Sequence, residues 1–396
     1  MAEEEAPFES LKTFSGLIHR QPLFITDRLD VDSYHLKFLN KEGEKLDDDS
    51  EVPAFLEHLP DILPAISDRQ KALLSIPESW QDALYKSRES TLKFILDING
   101  DTTTHPSGSN ERFAFATHAE AVADSNQSNT LLIDMLQHSP ETLTEHLPYW
   151  RENHKILCAT NVNDLGGYTL CKDNTLDLLQ GQFYTLPSAK ERLAIPPSIQ
   201  ILMELLVKLQ DPEIEPEDLA NTINQDVSLS YKLLRLINSA FFGLPREVNS
   251  TKQAIVMLGH NKIKTWASLL SLSGVDDKPV ELRIVAMTRA RMCELLAKYY
   301  KGQAEMFFAT GLFSTLDALM DRPLDNLVEK LPLSPELKQA LLDKSGAAGH
   351  ALQDVLNYEK GDWIAIDASP IPSEVLSRVY LDAIHWAKEL NTQLQD

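Results

Sequence analysis

Cysteine is scarce: three residues, Cys158, Cys171 and Cys293, in a chain of 396. Three cysteines make no disulfide framework, none forms a CxxC pair, and no nearby histidine cluster completes a zinc set. Buried, reduced thiols are therefore expected. No apolar run approaches the ~18 residues a membrane-spanning helix needs. The opening Met1-Ala2-Glu3-Glu4-Glu5 is acidic where a signal peptide would be basic, so a cytoplasmic protein is expected. Lys/Arg-rich runs are missing too, and the formal net charge is −22. That balance argues against a nucleic-acid backbone or an anionic membrane surface as the main partner. The chain also has no His-Asp dipeptide, and no two histidines lie three or four residues apart. With 15 Gly and 21 Pro it shows no low-complexity character.

What is present is ordinary globular sequence, with 43% hydrophobic and 24% charged residues, long enough for two domains. The first half alternates short apolar runs with helical pieces. Ile18 to Ile25, Ala72 to Ile76, Thr91 to Ile98, Leu131 to Asp134 and Lys155 to Ala159 read as strands. Ser79 to Lys86 and Glu141 to Asn153 read as helices, and Lys41 to Ser50 and Thr102 to Asn110 as loops. Strands alternating with helices predict parallel βα units. From Ser188 the texture becomes almost wholly helical, with Ile199, Leu202, Met203, Leu206 and Leu209 at helical spacing. Ser250 and Gln253 match a capping box before Ala254, Ile255 and Leu258. Helical patterns recur to Leu390. The expected division is an α/β domain over 1–187 and an all-α domain over 188–396, joined near Pro196-Pro197.

The region from about Leu193 to Gly274 resembles the HDOD domain, a reduced relative of the HD and HD-GYP phosphohydrolases. The matching residues are Pro196-Pro197, Asn224-Gln225-Asp226, the run Leu233 to Gly243 (with Asn238, Ser239, Phe242 and Gly243), and Ala254 to Gly259. Arg289 to Ala297, Gly311 to Asp317, Leu331 to Ser334 and Tyr358 to Trp363 look like the continuation found in EAL–HDOD signal transduction proteins. The first half is similar to a worn EAL domain, the cyclic di-GMP phosphodiesterase barrel. Arg20-Gln21-Pro22 resembles its opening strand, and Gln180-Gly181-Gln182-Phe183-Tyr184 its closing motif. Tyr34-His35-Leu36 stands where the Glu-Ala-Leu signature would fall, so His35 replaces a metal-binding Glu. Asp134 is kept from the Lys-Ile-Asp strand, while Leu132 replaces its Lys and Thr160 replaces a further Glu. At under 190 residues the barrel is expected to be shortened.

The resemblance implies a consequence. A two-metal phosphodiesterase needs several carboxylates to hold its cations, and imidazole at His35, alkyl at Leu132 and hydroxyl at Thr160 do not supply them. Phe313-Ser314 stands at the position of the hydrolase His-Asp pair. No catalytic residue, metal or cofactor is therefore expected. The leading expectation is a non-catalytic bacterial signalling scaffold with a degenerate, shortened EAL-type (β/α) barrel, an HDOD helical domain and a regulatory protein as partner. The alternatives are an inactive cyclic di-GMP sensor and a metal-dependent phosphohydrolase. Asn238, Ser239, Phe242, Gly243 and Gly259 are the candidate partner- or ligand-binding residues, against the simpler reading that they close a helix and fill a core. Gln21, His35, Asp134, Gln180 and Gly181 are the relic barrel positions.

Overall fold

The computed structural model describes residues 8–67, 71–87, 91–97, 112–119, 128–188, 197–209, 211, 213–238, 247–272, 278–331 and 333–392. The chain forms two compact units, one of residues 1–186 with Asn357–Leu381, the other of Pro187–Leu356 with Asp382–Asp396.

The first unit is a closed barrel of eight strands in sequential order: β1 (Leu17–Ile25), β2 (Val31–Leu39), β3 (Lys71–Ser75), β4 (Lys93–Asp97), β5 (Phe113–His118), β6 (Thr130–Asp134), β7 (Ile156–Thr160) and β8 (Leu178–Leu179). β1 is antiparallel to both β2 and β8, and every other neighbouring pair is parallel. The sheet closes with a full eight strands, so the shortness expected of this barrel is not a loss of strands. Economy comes instead from very short strands and a tight β1–β2 turn with no helix between them.

The barrel is filled by one apolar layer: Leu23, Leu73, Ile95, Ala116, Leu132, Cys158 and Leu178. Successive side chains of a strand alternate faces, so residues two positions on share the inward face. Helices cover the outside. α1 (Glu78–Tyr85) follows Pro77, which cannot continue the β3 ladder, and buries Trp80 and Leu84. Trp80 joins Phe14, Phe38 and Phe55 in an aromatic cluster with ring centroids 5.7–6.5 Å apart. α2 (Pro140–Asn153) and α3 (Leu165–Asp173) start at Ser139 and Asp164, whose side chains accept from Thr142 N and Gly167 N.

The outer face of β1 is covered from the far end of the chain. Tyr358 Oη donates to Ile18 O at 2.8 Å, Tyr380 Oη to Arg20 O at 3.0 Å, and Ile18 N donates to Ser377 Oγ at 3.3 Å. Trp363 meets the His19 and Tyr358 rings edge-on.

The second unit is helical: α4 (Pro197–Lys208), α5 (Pro216–Ile223), α6 (Val227–Ile237), α7 (Thr251–Leu258), α8 (His260–Leu272), α9 (Val280–Tyr300) and α10 (Ala304–Phe313), followed by further helices. Asp226 caps α6 by accepting from Leu229 N. Ser250 caps α7 by accepting from Gln253 N, and Gln253 Oε1 reaches back to Asn249 N, one residue before the cap. No helix among the described residues is long and apolar enough to cross a membrane.

Candidate active site at the barrel mouth

The residues two positions beyond the apolar layer form a polar cap where the parallel strands end. Leu73 is followed by Ser75, Ile95 by Asp97, Ala116 by His118, Leu132 by Asp134, Cys158 by Thr160 and Leu178 by Gln180. On β2 the same face carries His35 and Lys37, which pair with Leu73 and Ser75 in the register. These side chains line one cavity together with Lys45, Asn161 and an apolar edge that includes Phe38, Leu39 and Ile76. The carboxyl-terminal end of a parallel barrel is where side chains from separate strands converge on one point.

A continuous chain of hydrogen bonds crosses the mouth. Gln180 Nε2 donates to Gln21 Oε1 at 2.7 Å and to His35 Nδ1 at 3.1 Å. An accepting Nδ1 places the His35 proton on Nε2, which donates to Ser75 Oγ at 2.7 Å. Ser75 Oγ donates to Asp97 Oδ2 at 2.6 Å, and His118 Nε2 meets Asp97 Oδ1 at 2.8 Å. Burial, with the nearby Lys37 charge, holds the His35 pKa well below its ordinary value, so the ring is neutral. Burial also opposes ionisation of Asp97, but the hydrogen bond and charge of His118, with smaller contributions from His35 and Ser75, outweigh it and bring Asp97 to about 2. The result is a buried carboxylate fixing an imidazole that is itself half exposed to the cavity.

His19, one strand over, is neutral as well: burial first, then Lys37, lower its pKa to about 4. Its Nε2 lies 3.1 Å from Glu359 O, which also accepts from Gln182 Nε2 at 3.2 Å. The three cysteines are buried and free, and burial pushes their thiols up, Cys171 to about 12, so none is a nucleophile at neutral pH.

Of the relic positions, Gln21, His35 and Gln180 thus belong to one network, and Asp134 sits on the same mouth. Asp134 Oδ1 accepts from Asn161 Nδ2 at 2.8 Å and from Leu136 N at 3.0 Å. Gly181 lets the chain leave β8 against β7, since a Cβ there would lie 2.0 Å from Val162 O. In the helical unit, Asn238 ends α6 and spends its amide on the backbone, accepting from Val248 N and donating to Val248 O, both at 2.8 Å. Gly259, at φ +79°, links α7 to α8 beside a cavity lined by Leu209, His260, Lys264 and Glu305. Ser239, Phe242 and Gly243 lie outside the described residues. Sequence reasoning missed Lys37, Ser75, Asp97 and His118; for the last three the only signal is their place two residues past a core residue.

The donors at the mouth do not suit the metal pair that the EAL resemblance implies. Both Asp97 oxygens are taken by Ser75 and His118, and both His35 nitrogens are engaged. Asp134 Oδ1 holds two donors, while Gln137 Nε2 lies 3.3 Å from Oδ2. Among the described residues no group of three or more His, Cys, Asp or Glu side chains could hold a metal ion.

The profile of the HDOD family matches residues 195–322. An HDOD domain is present there. The chain is 32% identical over 219 residues to cyclic di-GMP phosphodiesterase CdgJ of Vibrio cholerae serotype O1, covering 54% of this chain and 51% of that protein. It is 29% identical over 242 residues to the uncharacterized protein YuxH of Bacillus subtilis (strain 168), covering 59% of each. The matches therefore span little more than half the length of these curated relatives. A standalone versatile EAL protein from Vibrio cholerae O395, solved with c-di-GMP bound, aligns over 43% of this chain and 90% of its own, at 13% identity and a TM-score of 0.32. The expectation of a non-catalytic scaffold, and of a chain that is not an enzyme, is overturned by the phosphodiesterase relative. The expectation from lost metal ligands did not weigh Asp97 and His118, which line the barrel mouth.

Proposed function

We propose that the barrel mouth hydrolyses a phosphodiester bond of cyclic di-GMP, in an EAL-type barrel with an altered set of mouth residues, joined to the HDOD region. The observation that carries this reading is the Asp97–His118 pair at the carboxyl-terminal end of the barrel. With Nε2–H held on Asp97, the other imidazole nitrogen, Nδ1, is the proton acceptor. A water placed against it loses its proton to Nδ1 as its oxygen bonds to phosphorus. The P–O bond to one ribose breaks, and the departing alkoxide takes a proton from solvent. One water is consumed and a linear dinucleotide is formed. Asp97, ionised above about pH 2, steadies the imidazolium that results, as a buried carboxylate does for a general-base histidine. The 32% identity to a named cyclic di-GMP phosphodiesterase supports the choice of substrate.

Chromatography of cyclic di-GMP incubated with the purified full chain tests the reading. Conversion to the linear dinucleotide is expected. A substrate left intact over hours at micromolar enzyme contradicts it.

A further inference from the structure

Phosphodiester cleavage needs positive charge at the phosphate, because two negative charges develop on its oxygens as the nucleophile adds. In barrels that use divalent cations the metal supplies it. Here Asp97, Asp134 and His35 at the mouth are already committed to neighbouring donors and acceptors, and His118 keeps only Nδ1 free. Asp97 is held by Ser75 and His118, Asp134 by Asn161 and the Leu136 amide, and His35 by Gln180 and Ser75. A cation would have to compete with this network for most of its ligands.

Among the described residues, one partly buried cation at the mouth is not committed. Lys37 sits on the inward face of β2, two residues beyond His35 and paired in register with Ser75. It lines the same cavity as Asp97, His118 and Asp134. Among the described residues its ammonium makes no hydrogen bond and no ion pair, although it is half-buried. A lysine in such a position bears a desolvation cost that no hydrogen bond or ion pair offsets. Its pKa is lowered accordingly, by burial first, with Asp97 and Asp134 acting the other way through space. An anion entering the cavity would offset that cost. Lys45 lines the same cavity but is exposed to solvent at its edge, where water already serves its charge.

We propose that the Lys37 ammonium takes the place of a divalent cation, holding the scissile phosphate of a cyclic dinucleotide and neutralising its charge, so that cleavage proceeds without metal. This rests on the reading of the barrel mouth as a phosphodiesterase site. No atom is transferred to lysine: it donates N–H bonds to the non-bridging oxygens while water attacks as described.

The test uses the full chain and cyclic di-GMP, after dialysis against EDTA, with and without magnesium or manganese added back. Turnover in excess EDTA within about twofold of that with cation is expected. In the same assay Lys37→Met is expected to raise KM by roughly tenfold or more, the scale of losing a charge-assisted contact. Lys37→Arg, which keeps the charge, is expected to restore most of that loss. Urea unfolding of Lys37→Met at wild-type stability or above shows that the effect is not misfolding. Turnover abolished by EDTA and restored by magnesium or manganese overturns the inference while leaving the phosphodiesterase reading intact. Wild-type affinity in Lys37→Met likewise overturns it. Absence of turnover under every condition overturns the reading of the site, and this inference with it.

Discussion

At the scale of single residues, the barrel mouth is a place where burial and hydrogen bonding choose protonation states. His35 and His19 are held neutral, whereas Asp97 is held ionised. The two directions have opposite consequences in acid. His19 has a folded pKa of about 4 against an ordinary 6.5, so the unfolded chain binds its proton first as pH falls. Stability is full above about pH 6.5, declines between 6.5 and 4, and then levels. At pH 5 this one histidine costs about 2 kcal/mol relative to pH 7. Urea unfolding at the two pH values should show that loss, and His19→Gln should reduce it. An unchanged pH dependence in the variant would contradict the assignment. Asp97 acts lower: its contribution is present above its unfolded value of 3.8 and is lost as pH falls toward 2. In the range where an enzyme assay is run, Asp97 remains charged.

At the scale of elements, the fold was partly legible in the chain. Ile18 to Ile25, Ala72 to Ile76, Leu131 to Asp134 and Lys155 to Ala159 are apolar enough to mark β1, β3, β6 and β7, within a residue or two. β8 is two residues long, too short for any periodicity, and β5 (Phe-Ala-Phe-Ala-Thr-His) has small and half-exposed positions that blur its pattern. The site was less legible for a related reason. Asp97 and His118 become a pair only when β4 and β5 lie side by side and each strand's register is known. Neither spacing in sequence nor local composition carries that information. Gln180-Gly181 shows how closely such ends are built. Val162 N donates to Gln180 O at 2.9 Å and Phe183 N to Val162 O at 3.2 Å, so the peptide around Gly181 lies directly against Val162. Gly181→Ala would drive a methyl into that carbonyl. A loss of roughly 2–4 kcal/mol is expected in chemical unfolding, and Gln180 should lose its hold on His35. A variant as stable as the parent would show that β7 and β8 are spaced more loosely than described.

At the scale of the whole molecule, the barrel is discontinuous in sequence. The β1 wall, which has no helix between it and β2, is covered by Asn357–Leu381 instead. Nothing local in that segment announces this, since its helical pattern suits either unit, and Tyr358 and Tyr380 reveal their role only through their bonds to Ile18 O and Arg20 O. Removing a large buried side chain of this kind costs about 3–5 kcal/mol, against a total of about 5–15 for a domain. A chain ending at residue 187 should therefore aggregate or melt without a cooperative transition, as followed by circular dichroism. A cooperative transition at full-length stability would contradict the assignment of 357–381 to the barrel. The residues proposed for the chemistry lie outside the HDOD match at 195–322 in the sequence, so they can be substituted without altering that region's sequence.

The central claim is that His118, steadied by Asp97, acts as the base in cyclic di-GMP hydrolysis. Steady-state kinetics of His118→Gln beside the wild type test it most directly, because glutamine keeps the polar bulk while removing the basic nitrogen. The account predicts that kcat falls by about 100-fold or more, the usual worth of a positioned general base, with KM nearly unchanged. A variant that turns over cyclic di-GMP at the wild-type rate would contradict it.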